Sequence, residues 1–363
     1  MSGADDVTGS EAAAERFTCP MLIPLAKIWA FRSGSLSATE AEAAFRRAIE
    51  LGPQLAPPWN DLGNLLYYDL GRYEEAEVAY RKAIELDPQQ ARPWHNLGNL
   101  LQYRLSRYEE AETIYRKAIE LDPKHALTWN NLGNLLHYRI DRHEEAEAAY
   151  RRAIELDPKH ALTWNNLGNL LQYRLSRYEE AEAAYRKAIE LDPEDATYWN
   201  SFAWFLYLCT EQRAEAVQAA RRAVELDHEN KHALHTLITI LFAARQGQEA
   251  LPHCRRLFEI ADEEFLSETW DDFVLLFKEA LAAGMGKELL NLLDESEAGQ
   301  HWRPLREALA AAVAKNPDLL LDVAPEVRKP ALEILARLAC EFRSHSATDS
   351  MSIRPPVPRA FGH

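Results

Sequence analysis

The residues whose types and spacing most clearly indicate catalytic chemistry are His228, Glu229 and His232, which match the HExxH pattern of zinc proteases. In that pattern, two histidines bind zinc from one face of a continuous helix and the glutamate acts as a base. His235 follows three residues later, but the additional glycine and histidine of the longer zinc-protease motif are missing. Incidental metal binding by His232 and His235 is the alternative to catalysis.

A fixed period in the chain decides how this motif is interpreted. Tryptophans recur at 59, 94, 129, 164 and 199, and prolines at 53, 88, 123, 158 and 193, so the period is 35 residues. Such a spacing indicates a repeat architecture. His228 stands where the preceding copies have the proline that ends a helix. The HExxH pattern therefore straddles a turn between two units, and we predict no zinc site there.

Other motifs for catalysis or cofactor binding are missing from the sequence. There is no GxxxxGK[ST], GxSxG or GxGxxG pattern, so phosphate loops, nucleophile elbows and dinucleotide sites are not indicated. The four cysteines, at 19, 209, 254 and 340, form no CxxC pair. This usage favours a reduced, cytoplasmic setting over structural disulfides. We predict a protein that is not an enzyme and needs no cofactor or metal.

The charge balance argues against two classes of partner. The 363 residues include 57 acidic and 41 basic side chains, a formal net charge of −16. Nucleic acid and anionic membranes are poor partners for such a surface, because contacts to phosphate need Lys or Arg. The longest apolar run, 17–31, contains two prolines and a lysine and is too short to span a bilayer. We expect no nucleic-acid partner and no membrane partner.

Each central repeat predicts a pair of helices. In the copy at 124–158, apolar residues at helical spacing predict helix A over Ala126–Tyr138 and helix B over His143–Leu156. Gly133 lies in the middle of helix A, where glycine costs about 1 kcal/mol relative to alanine. A close packing neighbour is therefore expected there. Because neither helix can bury its apolar face alone, we expect A and B helices to stack into a continuous core.

The repeat resembles a known family. The pattern W-x2-L-G-x2-L…Y-E-E-A…Y-x-x-A-I-x-L-D-P, over about Ala38–Asp262, closely resembles the tetratricopeptide repeat. This resemblance implies an all-α, right-handed superhelical solenoid. The usual repeat has 34 residues, and the spacing from Trp129 to Ala146 places the extra residue here in the turn between helices A and B. The longer unit is expected to alter the superhelical pitch.

The repeat pattern also predicts the division of the chain. Residues 263–342 are predicted to form a helical cap, and a separate docking domain is the alternative. The predicted segments are a disordered leader at 1–17, a divergent N-terminal repeat at 18–53 that begins with a helix over Pro20–Phe31, five units of 35 residues at 54–228, a degenerate unit at 229–262, the cap at 263–342 with helices near Leu266–Ala283, Gly286–Leu293, Trp302–Lys315 and Glu326–Phe342, and a disordered tail at 343–363.

The resemblance further implies that helix A lines a concave groove. Inward-facing candidates follow the repeat tryptophan by one, five, eight and nine residues. These predicted groove residues are Asn60, His95, Asn130 and Asn165 at the first position; Asn64, Asn99, Asn134 and Asn169 at the second; Gln102, His137 and Gln172 at the third; and Tyr68, Tyr103, Tyr138 and Tyr173 at the fourth. Amides donate and accept hydrogen bonds, as the backbone of an extended peptide requires, and tyrosines add flat apolar area.

Two alternatives concern the groove itself. The asparagines could instead serve hydrogen bonding between helices, which is a structural role. No predicted groove residue is Lys or Arg, and Arg92 is expected at the groove edge at best. A clamp for a C-terminal carboxylate is therefore not expected.

The sequence favours a non-catalytic interaction scaffold that binds an extended peptide or a partner helix in its groove. The expected partner is another protein or a peptide. One alternative is a regulatory or substrate-recruiting subunit of a separate enzyme, with 263–342 as the docking part. Another is a self-assembling protein, so a homo-oligomer is possible.

Overall fold

The structure, a computed structural model, describes residues 37–295, 303–315 and 325–342. Within these ranges the chain forms 17 α-helices and no β-strand. The described residues fall into two compact units that divide between Pro158 and Lys159. The predicted leader, the predicted helix Pro20–Phe31 and the predicted C-terminal tail lie outside the described residues.

The first unit consists of helices joined by short turns. Its helices are α1 (Ala38–Leu51), α2 (Ala56–Tyr68), α3 (Tyr73–Leu86), α4 (Ala91–Tyr103), α5 (Tyr108–Leu121), α6 (Ala126–Tyr138) and α7 (His143–Leu156). Helices α2, α4 and α6 are the A helices of three full repeats, and α3, α5 and α7 are their B helices. Both ranges predicted for the copy at 124–158 are confirmed. Ser37 begins α1 with a capping box, in which its hydroxyl and the Glu40 carboxylate each accept a backbone N–H.

A glycine and a tyrosine hold each full repeat together. A Cβ atom added to Gly98 would lie 2.5 Å from Cε1 of Tyr115, so only glycine lets the B-helix ring approach this closely. The tyrosine is fully buried. Gly133 and Tyr150 repeat the arrangement, with the added Cβ 2.7 Å from the ring. The close neighbour predicted for Gly133 is confirmed.

The extra residue of each unit lies in the turn from helix A to helix B, as predicted. After α4, the amide of Leu105 donates to the carbonyl of Leu100 at 3.2 Å, a bond that spans five residues instead of four. Ser106 then adopts a left-handed conformation with φ of 53°. The amide of Arg107 then closes the turn on the carbonyl of Leu101 at 3.0 Å, a bond that spans six residues, whereas the corresponding bond of the 34-residue unit, from Gln246 to Leu241, spans five.

In several repeats the tryptophan fixes the turn that leads into helix A. Nε1 of Trp94 donates to the carbonyl of Pro88 at 3.1 Å, and Trp129 does the same to Pro123. The preceding aspartate carboxylate accepts the backbone N–H two residues later, as Asp122 does from Lys124 at 3.1 Å. These bonds satisfy backbone and indole groups at the start of the next unit.

Ion pairs connect successive B helices of the first unit. Nη1 of Arg142 donates to Glu112 of the preceding repeat at 2.6 Å, and the same guanidinium contacts Glu145 of its own repeat. Arg107 repeats this arrangement with Glu77 at 2.8 Å. The arginine side chains are exposed and those of Glu77 and Glu112 are half-buried, and surface pairs of this kind are worth about 0–1 kcal/mol. The network neutralises most cations of the outer face.

The second unit begins with the same helix pairs. Its helices are α8 (Ala161–Leu170), which continues into a π-helical turn over Leu171–Leu175, then α9 (Tyr178–Leu191), α10 (Ala196–Cys209), α11 (Arg213–Leu226), α12 (Lys231–Ala243), α13 (Gly247–Ile260), α14 (Glu263–Ala282), α15 (Gly286–Glu295), α16 (Arg303–Ala314) and α17 (Pro325–Phe342). Helices were predicted near all four of the last ranges and are present there, within about three residues at each end. The predicted domain boundaries remain a prediction.

Helix α14 departs from the repeating arrangement. In their contacts with the preceding repeat, the A helices of the regular repeats pack mainly on its B helix, whereas α14 packs on α12, the preceding A helix. Its Phe273 and Phe277 are fully buried, and its Glu279 carboxylate accepts a hydrogen bond from Tyr207 of α10 at 3.1 Å. Counting the unit that ends with α1 as the first repeat, the sixth repeat is formed by α10 and α11 and the seventh by α12 and α13. Helix α14 therefore lies on the A-helix face of the sixth and seventh repeats.

Candidate functional site

The first row of predicted groove residues, one position after the tryptophan, lies mostly below the surface. Asn60, Asn130 and Asn165 are each at most 3% exposed. The amide of Asn60 accepts a hydrogen bond from Asn96 at 3.0 Å. His95 is only partly buried and faces the groove. A ligand on the A-helix surface of the first unit would meet His95 before it met Asn60 or Asn130.

The second row, five positions after the tryptophan, is bound to the B helices. In each full repeat the B-helix tyrosine hydroxyl donates to the asparagine carbonyl oxygen. The pairs are Tyr80–Asn64 at 2.9 Å, Tyr115–Asn99 at 2.8 Å, Tyr150–Asn134 at 2.8 Å and Tyr185–Asn169 at 2.7 Å. These asparagines therefore have a structural bond inside their own repeat. Asn99 is buried, whereas Asn64, Asn134 and Asn169 are half-buried.

The third row, eight positions after the tryptophan, supports the same tyrosines. Gln102 accepts a second hydrogen bond from Tyr115 at 2.9 Å, and Gln172 accepts one from Tyr185 at 2.7 Å. His137 is fully buried, and its ring stacks on Tyr138 with centroids 4.0 Å apart. This row packs between the helices and offers little surface to a ligand.

The fourth row, nine positions after the tryptophan, contains the exposed aromatic side chains. Tyr68 is 67% exposed and Tyr103 is 36% exposed, while Tyr138 and Tyr173 are half-buried. Such exposed aromatic area is the kind that binding surfaces use.

Sequence reasoning missed a fifth row, two positions after the tryptophan. Asn96 of α4 donates to the carbonyl oxygens of Asn60 and Asn64, at 3.0 and 2.9 Å. Asn131 of α6 donates to Asn99 at 2.8 Å. The amides of successive A helices are thereby joined into one network. The signal was present, because every full copy carries Asp or Asn at this position.

Five of these side chains line a cavity of about 840 Å³ on the A-helix face of α2, α4 and α6, namely Asn60, Asn64, Tyr68, His95 and Asn96. We refer to this cavity as the first-unit groove. Arg92 lines this groove and is exposed, which agrees with a place at its edge. The lining residues are Pro57, Asn60, Asp61, Asn64, Tyr68, Gln90, Ala91, Arg92, His95, Asn96, Asp122, His125, Leu127 and Thr128.

His95 is held in its neutral form at the centre of this groove. Nε2 of His95 lies 3.1 Å from Nδ2 of Asn99, and Nδ1 lies 2.9 Å from Oγ1 of Thr128. Burial, and next the neighbouring His125 ring 4.9 Å away, lower the pKa of His95 to about 4. Both effects disfavour a positive charge on the imidazole.

The corresponding face of the sixth and seventh repeats is covered by α14. Trp204 stands where the earlier repeats have the second-row asparagine, and its ring contacts His235 with centroids 6.0 Å apart. His235 in turn contacts Phe273 of α14 edge to face, at 5.0 Å. An apolar contact with a helix of the same chain thus takes the place of the polar network.

The HExxH residues have no helical continuity. Helix α11 ends at Leu226 and α12 begins at Lys231, so His228 lies in the turn and His232 lies in the next helix. The straddling predicted from the repeat register is confirmed. Across residues 37–295, 303–315 and 325–342, no three His, Cys, Asp or Glu side chains are grouped as a metal site would require. No helix in the described ranges is both long and apolar enough to span a membrane.

Comparisons with known proteins identify the repeat. The tetratricopeptide repeat family matches residues 89–159 and 124–194, and a further TPR repeat description matches residues 65–103. No curated protein sequence matches the chain.

Several solved structures resemble part of this chain. YrrB, described as a TPR protein with an unusual peptide-binding site, is 26% identical over 54% of this chain and 98% of its own, with a TM-score of 0.44. PilF of Pseudomonas aeruginosa is 23% identical over 68% of this chain and 96% of its own, with a TM-score of 0.49. MamA of Desulfovibrio magneticus RS-1 is 21% identical over 49% of this chain and 98% of its own, with a TM-score of 0.42.

The predicted all-α repeat fold is therefore confirmed. The paired helices, the glycine–tyrosine packing in each full repeat and the match over residues 65–194 agree with one another. Residues 65–194 are therefore tetratricopeptide repeats, a type of repeat that generally mediates protein–protein interactions.

Proposed function

We propose that this protein is a non-catalytic scaffold that binds an extended peptide segment of a partner protein in the first-unit groove. The observation that carries the proposal is the orientation of the groove amides. The carbonyl oxygen of Asn64 accepts from Tyr80 and from Asn96. Its NH₂ group forms no hydrogen bond with the described residues. Asn96 donates through its NH₂ group, and its carbonyl oxygen is likewise without a partner in the described ranges.

This orientation complements a peptide backbone. Asn64 presents a donor to a peptide carbonyl, and Asn96 presents an acceptor to a peptide N–H. An extended peptide has both groups on every residue, and they need partners when they leave water. Because the Tyr80 hydroxyl and the neighbouring amides hold both asparagines, the entropy cost of ordering them is paid during folding.

Apolar side chains flank these amides. Tyr68 is 67% exposed at one end of the A helices, and Leu127 is 44% exposed at the other. Both line the groove and offer contact to alternate side chains of a bound strand.

The cysteines support a cytoplasmic location in this proposal, and the groove amides support a function without catalysis. Cys209 and Cys254 are free thiols, and burial raises the pKa of the Cys209 thiol to about 11. Free, unreactive thiols fit a reduced cytoplasmic compartment. The groove amides bind without offering a nucleophile or a general base.

The variant Asn64→Asp tests the proposal. The carboxylate keeps an acceptor for Tyr80 and Asn96 but replaces the donor that would face the ligand. Short random peptides displayed in a library would first be selected on the wild-type protein. Their affinity for Asn64→Asp is expected to fall about tenfold or more, because a donor becomes an acceptor opposite a peptide carbonyl.

Gln218→Glu is the matched control. It makes the same amide-to-carboxylate change on an exposed residue of the B helix α11, and it should leave peptide affinity unchanged. If no peptide is selected, or if selected peptides bind Asn64→Asp as tightly as wild type while circular dichroism shows the same fold, the proposal is wrong.

A further inference from the structure

A cluster of hydrogen-bond donors lies where α4 and α6 begin, at one rim of the first-unit groove. Arg92 and His125 line the groove there, and Lys124 precedes His125 in the same turn. Among the arginines and lysines of residues 37–158, Arg92 and Lys124 are the two with neither an ion pair nor an aromatic ring as a partner in the described structure. Their charges are therefore available to a ligand.

A chain of hydrogen bonds fixes the proton positions on the two histidines. The carbonyl oxygen of Asn99 accepts from Tyr115 and Asn131, so its NH₂ group faces Nε2 of His95, at 3.1 Å. That nitrogen must accept, because an amide NH₂ is only a donor. The proton of neutral His95 therefore lies on Nδ1, which donates to Oγ1 of Thr128 at 2.9 Å.

The same reasoning continues from Thr128 to His125. The Thr128 side chain is 1% exposed, and its hydroxyl proton needs an acceptor. Nδ1 of His125, at 2.7 Å, is the acceptor that remains. Neutral His125 therefore carries its proton on Nε2. This nitrogen has no partner among the described residues, and the ring lines the groove. The series of hydrogen bonds that starts at Asn131 ends at the Nε2–H of His125, a donor with a fixed orientation at the groove wall.

We propose that Arg92 and the Nε2–H of His125 form a subsite for one acidic side chain, Asp or Glu, of the peptide bound in the first-unit groove. This inference rests on the proposed function, since it specifies one residue of the same ligand. A carboxylate accepts from a guanidinium and from an imidazole N–H together, and such charge-assisted bonds are about twice as strong as neutral ones. Lys124 adds a third positive or donating group at the same rim.

Two carboxylates also line this groove. Asp122 accepts the backbone N–H of Lys124 at 3.1 Å, and it ends helix α5 in the same way that Asp87 ends α3. Asp61 lies on α2, next to Asn60, whose amide donates to it at 3.4 Å. The charges that face the subsite are thus two cations and one structural carboxylate at the rim, with Asp61 on the opposite helix. They leave room for one acidic residue but oppose a strongly acidic segment.

The test uses peptides selected on the full-length wild-type protein and synthesised in matched pairs. In each pair one acidic residue is replaced by its amide, Glu by Gln or Asp by Asn. The wild-type protein is expected to bind the acidic member about tenfold or more tightly at one position. Arg92→Gln and His125→Asn should reduce that ratio to near one.

His125→Gln and Arg47→Gln serve as controls for these changes. His125→Asn keeps an acceptor for Thr128 and a residue favoured at a helix N-cap, but removes the donor to the groove. His125→Gln places its amide near Nε2 and should retain part of the preference. Arg47→Gln removes a cation on the outer face of α1, where Arg47 pairs with Glu50, and should leave the ratio unchanged.

The two proposals fail in different ways. If peptides still depend on Asn64 but show no preference for an acidic residue, or keep it in both Arg92→Gln and His125→Asn, the acidic subsite is wrong and the proposed function stands. If binding is insensitive to Asn64→Asp, the peptide groove itself is wrong. An acid preference that is lost in Arg92→Gln and His125→Asn but kept in Arg47→Gln supports the subsite.

Discussion

The buried tyrosine of each B helix links the core of a repeat to its binding face. Its ring packs against the A-helix glycine, and its hydroxyl donates to an A-helix asparagine, as Tyr115 does to Asn99 at 2.8 Å. The asparagine therefore serves the fold through its oxygen. Where the side chain is only half-buried, as for Asn64, its NH₂ group faces the groove. In the proposed function, the structural role and the binding role that the sequence left as alternatives coexist in Asn64.

At the same scale, His95 makes stability depend on pH. Its folded pKa of about 4 lies below the usual 6.5, so the unfolded chain binds more protons between these two values. The stability that neutral His95 contributes is complete above pH 6.5 and is lost as pH falls toward 4. Between pH 7 and pH 5 the free energy of unfolding should fall by about 2 kcal/mol from this residue.

Urea denaturation at pH 7 and pH 5 measures this loss. His95→Gln, which has no ionisable group, should show a smaller fall between the two pH values than wild type. His235 is fully buried, and burial lowers its pKa to about 3, so part of the acid sensitivity should persist in the variant. An equal fall in wild type and His95→Gln would contradict the assignment.

The residue scale also shows what the sequence could and could not predict about the groove. The exposed Tyr68 and Tyr103 followed from the repeat register alone. The burial of Asn60 and the hydrogen bonds of Asn96 did not, because positions one and two after the tryptophan are neighbours on a helix and both carry amides. Only the packing of consecutive A helices decides which amide faces the groove. Arg92 and His125 were missed because they lie at the helix starts, outside the positions considered.

At the scale of elements, the turn from helix A to helix B is the feature that sets these repeats apart from 34-residue units. Three of the turns in the first unit place a residue at positive φ: Gly71 at 63°, Ser106 at 53° and Asp141 at 59°. That conformation costs a residue with a Cβ roughly 1–2 kcal/mol, whereas glycine adopts it without this cost. Gly71 therefore occupies the position without strain, and Ser106 does not.

A reciprocal pair of substitutions checks this turn. Ser106→Gly should raise the free energy of unfolding by up to about 1 kcal/mol, because relief of strain exceeds the added entropy of the unfolded chain. Gly71→Ser should lower it by a similar amount. Thermal and urea denaturation of both variants provide the measurement. If the two substitutions shift stability in the same direction, the left-handed turn is not the cause.

Element boundaries were more predictable than element positions. Helices α6 and α7 matched their predicted ranges because the tryptophan, the turn residues and the Asp-Pro pair mark every end. A helix near Leu266–Ala283 was also predicted, and α14 is present there. Its place on α12 and α10 could not be predicted, since periodicity identifies an apolar face but not its partner. Trp204 and His235 were the signal, because both replace polar groove positions with groups that pack against aromatic rings.

At the scale of the whole molecule, the two units use the A-helix face differently. The first unit presents a cavity of about 840 Å³ lined by polar and apolar side chains, and the sixth and seventh repeats cover the same face with α14. The proposed function therefore places ligand binding in the first unit. Deleting residues 263–342 would remove Phe273 from its contact with the buried His235. Single substitutions in the groove are the cleaner way to separate binding from folding.

The central claim is that the first-unit groove reads the backbone of an extended peptide, and a backbone N-methyl scan of a selected peptide tests it most directly. Each N-methyl group removes one N–H donor and keeps the side chain. Titration of these peptides with the full-length protein should show one or more positions where affinity falls about tenfold or more, whereas alanine at the same positions has a smaller effect. If every N-methylated peptide binds as tightly as its parent, the groove does not recognise the backbone and the claim is wrong.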